Sequence, residues 1–102
     1  VELLTQEIRE AFQKTGSQDG KDAEAICIAK FFDPTGSWTW YATEFDGEDT
    51  FFGLVDGFEL EWGDFSLSEL LSVKGRFGLG IERDRYFGMP KLKDVARLKG
   101  RL

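Results

Sequence analysis

The sequence contains no histidine, one cysteine, one methionine and two prolines in 102 residues. Without histidine, the commonest general base and metal ligand is missing. Ser–His and Cys–His nucleophilic schemes are thereby excluded. Cys27 has no partner for an internal disulfide, so the expected compartment is the cytoplasm. No apolar run approaches the roughly 20 residues of a membrane helix. The opening Val1-Glu2-Leu3-Leu4-Thr5 has neither the basic start nor the apolar stretch of a secretion signal, and no membrane is expected. Basic residues are also missing from the middle of the chain. None lies between Lys30 and Lys74, where ten acids fall.

The chain does have aromatic residues, ten Phe, three Trp and two Tyr, or 15% of it. Each large ring buries roughly 150–250 Å². One domain of this length hides roughly 60–70% of its unfolded surface, so residues 1–102 are expected to form a single α+β domain. The net charge of −6 is unevenly placed: residues 1–71 carry a balance of −12 and residues 72–102 one of +6. One negative and one positive region are expected, each acting over about a Debye length, roughly 8–10 Å.

Thr5 is a suitable N-cap, and Ile8, Ala11 and Phe12 recur at helical spacing up to Gly16, predicting a helix from Thr5 to Thr15. Residues 17–22 read as a polar loop. Glu24–Phe32 is rich in strand formers and ends at the turn Asp33-Pro34-Thr35-Gly36. Ser37–Phe45 is the clearest strand. Simple alternation puts Trp38, Trp40, Ala42 and Glu44 on one face, and Thr39, Tyr41, Thr43 and Phe45 on the other. Asp46-Gly47 suits a hairpin, and Thr50–Asp56 and Phe58–Trp62 follow as strands. Ser66 and Glu69 have capping-box spacing, predicting a short helix to about Val73 that stops near Gly75. Ile81–Phe87 reads as a short strand or extended arm. Pro90 is placed to open a last helix carrying Leu92, Val95, Ala96 and Leu98. The expected fold is a four- or five-stranded antiparallel meander sheet flanked by two or three short helices.

No motif selects a catalytic set. Cys27 sits between Ile26 and Ile28 with nothing cationic beside it in sequence, which favours a packed thiol. Glu59 and Glu61 share a strand face by period two, and Asp64 follows them. Asp46-Gly47-Glu48-Asp49 gathers carboxylates but lacks calcium-loop spacing. Gly75-Arg76-Phe77-Gly78-Leu79-Gly80 lacks the third glycine of a dinucleotide loop, since position 83 is Arg. No metal and no cofactor are expected.

Three functional readings remain. The first is non-enzymatic: the acidic region, with Glu59, Glu61 and Asp64, contacts a basic or DNA-binding protein, because complementary charge raises on-rates, or imitates the phosphate surface of DNA. The second is a ligand-binding or enzymatic pocket in which Glu44, if buried beside Trp38 and Trp40, pairs with Arg76, Arg83 or Arg85. The third stacks single-stranded nucleic acid on Trp40 and Tyr41, against which the acidic sheet argues.

Phe31-Phe32-Asp33-Pro34, Trp38-Thr39-Trp40-Tyr41-Ala42-Thr43-Glu44-Phe45-Asp46, Phe51-Phe52-Gly53-Leu54-Val55-Asp56-Gly57, Gly63-Asp64-Phe65-Ser66-Leu67 and Ile81-Glu82-Arg83-Asp84 occur in that order. In this the chain resembles the short bacterial family catalogued as domain of unknown function 2958, over about residues 3–96. The resemblance implies carriage on plasmids, phages or other mobile elements, and it implies no catalytic residues. The family's recurring polar positions fall here on Glu44, Glu82, Arg83 and Asp84. Arg83 has two readings, a bidentate clamp on a carboxylate or phosphate and a tie from the C-terminal arm to an acidic sheet residue such as Glu44. The Arg/Lys-rich stretch after Ala96 departs from the family pattern.

Overall fold

The structure, a computed structural model, describes residues 2–73 and 78–102. Strands β1 (Ala29–Phe32), β2 (Thr39–Phe45), β3 (Thr50–Asp56) and β4 (Leu60–Ser66) form an antiparallel meander. A two-residue strand β5 (Glu82–Arg83) returns antiparallel to β1, giving the sheet order β4-β3-β2-β1-β5. Helices α1 (Gln6–Thr15) and α2 (Leu67–Ser72) complete the α+β fold. Neither is long and apolar enough to cross a membrane.

The caps form where the sequence places them. Thr5 Oγ1 accepts from the Ile8 amide at 3.2 Å, and Gly16 at φ 67° donates back to the Phe12 carbonyl. Ser66 Oγ accepts from the Glu69 amide at 3.0 Å and donates to the Glu69 carboxylate at 2.9 Å. Asp49 caps the same helix from outside it, accepting from the Ser68 amide at 2.9 Å and the Ser68 hydroxyl at 2.8 Å.

Each face of the sheet has its own core. Under α1 lies a cluster of phenylalanines centred on Phe51, whose ring stands 4.7 Å from Phe45, 5.3 Å from Phe31, 5.4 Å from Phe65 and 5.8 Å from Phe12. The opposite face buries Cys27, Tyr41 and Leu54 under Leu92, Val95 and Leu98. Gly53 is fixed by close approach: a Cβ there would stand 1.9 Å from the Tyr41 carbonyl oxygen in β2.

The sequence reading needs correction in several places. Only Ala29–Phe32 of the first predicted strand pairs as a strand, while Asp22–Glu24 forms a 3-10 turn and Ile26 bridges to Lys91. β2 and β4 each begin two residues later than predicted, at Thr39 and Leu60, and β4 runs on to Ser66, because its pairing with β3 continues to Thr50 opposite Ser66. β5 ends at Arg83, where Asp84 turns the chain by accepting from the Tyr86 amide. Pro90 opens no helix. Its carbonyl accepts from the Cys27 amide at 2.8 Å, and two 3-10 turns follow, Leu92–Asp94 and Ala96–Leu98. Leu92, Val95 and Leu98 all bury against the sheet, Val95 from extended backbone between the two turns. The last correction is a bulge in β2 between Ala42 and Glu44. The extra residue, Thr43, reverses the alternation. Phe45 therefore joins Trp40 and Ala42 over the phenylalanine cluster, and Glu44 leaves the Trp40 face. Expectations for Gly75, Arg76 and Phe77 lie outside the described residues.

Candidate functional site

The bulge explains Glu44. Gln18, buried in the loop after α1, donates its side-chain amide to the carbonyls of Ile26 and Thr43, both at 2.8 Å, and accepts from the Ile26 amide at 2.6 Å. Its own backbone amide donates to Glu44 Oε2 at 2.9 Å. Glu44 therefore has a neutral backbone partner and helps hold a latch. Arg83 sits on the other side of the sheet, in β5 opposite Phe31, and donates to the Glu2 carbonyl. The two residues line different cavities, so the expected Glu44–Arg83 pocket does not form.

Tyr41 is 0% exposed, which removes it as a stacking platform, and its hydroxyl has no hydrogen-bond partner among the described residues. Burial raises its pKa. Trp40 packs half-buried against the phenylalanine core. Cys27 is fully buried, its thiol donates to the Ala29 carbonyl at 3.3 Å, and burial pushes its pKa up, so the nucleophilic thiolate is disfavoured. The Asp46 carboxylate accepts from the amides of Glu48, Asp49 and Thr50, which hold its pKa below the ordinary range. No group of three or more His, Cys, Asp or Glu is placed to hold a metal ion among the described residues.

The acids of the β3–β4 region are exposed but do not share one face. Glu59 precedes β4 in the hairpin turn, Glu61 pairs opposite Val55, and Asp64 pairs opposite Phe52. By alternation Glu61 points to the α1 side and Asp64 to the other. On Asp64's side, Trp62 stacks on Phe52 at 5.8 Å and 15°, and both rings are exposed. The stack joins Trp62 on the edge strand to Phe52 on its neighbour β3, an exposed apolar patch beside an open strand edge. β4 itself pairs only with β3 among the described residues, so its outer side is an open seven-residue edge. The sequence reading missed Trp62 because its predicted strand ended there.

At the opposite edge, Glu82, Arg83 and Asp84 do come together. They line an open groove of about 660 Å³ against the β1–β2 hairpin, with Arg97 reaching in from the C-terminal turns. The two signs of charge are partly joined across the fold. Arg101 makes a two-pronged contact with buried Asp56 at 3.0 and 3.1 Å, and Lys91 and Lys93 meet Glu24 at 3.1 and 2.7 Å.

Residues 3–101 match a family model described as protein of unknown function (DUF2958). The chain belongs to this family. The match spans the architecture just described, from Leu3 to Arg101 on Asp56, so both sheet edges are part of the family domain, and it takes in the basic stretch after Ala96 that was expected to depart from the family pattern. Comparison with curated proteins and with solved structures gave no match.

Proposed function

We propose that this DUF2958 domain is a non-enzymatic binding module that receives an extended basic segment of another protein along β4. One observation carries the reading: the outer backbone of β4 is unpaired among the described residues, with the exposed Phe52–Trp62 stack and Asp64 on one face of that edge and Glu61 on the other. An incoming strand gains main-chain hydrogen bonds from such an edge, and alternate side chains supply specificity. The surrounding charge selects a basic strand, since no Lys or Arg occurs from residue 31 to residue 73. The missing histidines and the buried thiol support a role without chemistry. A bacterial mobile element, the setting implied by the sequence resemblance, suits a small acidic protein that acts by occupying another.

An alternating Lys/Val peptide should bind the wild-type chain with a dissociation constant that rises with salt. The triple reversal Glu59→Lys, Glu61→Lys and Asp64→Lys should abolish binding while the near-ultraviolet circular dichroism of the folded domain is kept. Undiminished binding by a folded triple variant overturns the proposal. Trp62→Ala should weaken binding about tenfold, within the range of a central aromatic contact.

A further inference from the structure

The groove at the β5 edge offers different chemistry and stands independently of the β4 reading. Four cationic side chains reach it from three separate stretches: Lys30 on β1, Arg83 and Arg85 at and beyond β5, and Arg97 in the last turn. Three acids also line it, but two are engaged locally. Asp33 Oδ1 accepts from the Thr35 amide and hydroxyl at 2.9 and 3.1 Å. Asp84 Oδ1 accepts from the Tyr86 amide at 3.0 Å, and its Oδ2 faces Lys30 Nζ at 3.6 Å. Arg83 is engaged by the Glu2 carbonyl. Arg85 and Arg97 are exposed and have no ion pair among the described residues, so the groove sets four cationic side chains against the three carboxylates of Asp33, Glu82 and Asp84, a small positive excess.

Two features define what the groove takes. Its volume of about 660 Å³ lies in the range of small-molecule sites and far exceeds what a bare oxyanion fills. Its rim carries Tyr86, 89% exposed, with the Arg85 guanidinium 5.9 Å from its ring centre. An arginine laid beside an open aromatic ring presents a planar surface next to phosphate-binding donors. We propose that this groove binds a phosphorylated planar-ring ligand of mononucleotide size, with Arg85 and Arg97 on the phosphate and Tyr86 against the ring. The overall charge of −6 disfavours a nucleic-acid strand, whose further phosphates would run onto the acidic remainder of the chain.

Adenosine monophosphate is the probe, titrated by calorimetry and by the fluorescence of Trp38, which also lines the groove. Binding is expected, with adenosine and inorganic phosphate each much weaker. Arg85→Gln and Arg97→Gln should each weaken it about tenfold or more, the scale of a lost charge-assisted hydrogen bond. Both residues are exposed, so the variants should keep the wild-type circular dichroism. No binding of the monophosphate, or wild-type affinity in the folded double variant, overturns the proposal. Inorganic phosphate binding as tightly as the monophosphate overturns the role given to Tyr86. A 5′-phosphorylated oligonucleotide binding more tightly than the monophosphate overturns the small-ligand assignment in favour of a strand.

Discussion

The two faces of the sheet are held by different physics. Under α1, five phenylalanines touch through Phe51, and hydrophobic burial with ring packing sets the geometry. The other face has fewer aromatic core residues, a buried hydroxyl without a partner among the described residues, and a C-terminal segment in short turns pinned at its end by Asp56 and Arg101. One face should respond to lost volume, the other to lost charge, and single substitutions can test that division.

The largest effect is expected from Phe51→Ala, about 3–5 kcal/mol of destabilisation in urea unfolding, because the cavity opens at the centre of the ring cluster. High salt should leave that loss unchanged. Asp56→Ala should cost less, about 1–2 kcal/mol, since its guanidinium partner is partly solvated. Its effect should concentrate in faster amide exchange across residues 92–98, whereas an equal loss spread through β2 and β3 would erase the proposed distinction. Smaller still is the acid limb. The Asp46 carboxyl is held below its ordinary value, so it stabilises the fold above about pH 3.9 and loses that contribution as pH falls through the folded value. Asp46→Asn should flatten the decline in thermal midpoint below about pH 4, and an unchanged acid profile would refute the role of its three amide contacts. Glu24→Gln should move the midpoint least, because Lys91 and Lys93 meet Glu24 in solvent.

Much of the first face is written locally in the sequence. Thr5, Gly16, Ser66 and Glu69 mark helix ends by their side-chain chemistry, and Asp46-Gly47 marks a hairpin, so the meander and both helices can be read directly. The second face depends on contacts that sequence spacing does not encode. Thr43 looks like any strand residue, yet as the bulge it exchanges the faces of Glu44 and Phe45. Gln18 reads as loop polarity, but four hydrogen bonds join it to Ile26, Thr43 and Glu44. The C-terminal apolar residues suit a helix as well as a 3-10 turn, and docking on the sheet decides between them. Glu82, Arg83 and Asp84, singled out by the resemblance, line the groove at the β5 edge. Arg97 and Tyr86 were missed, since only the folded chain brings the last turn beside β5.

Asp49 carries a consequence for how the domain opens. A helix of six residues has little stability alone, and part of its start is anchored by a side chain from the β2–β3 corner, nineteen positions earlier. When that corner frays, the helix loses its anchor in the same event. The corner and helix should therefore exchange amide hydrogens together, as one small cooperative unit beside the slower-opening phenylalanine core.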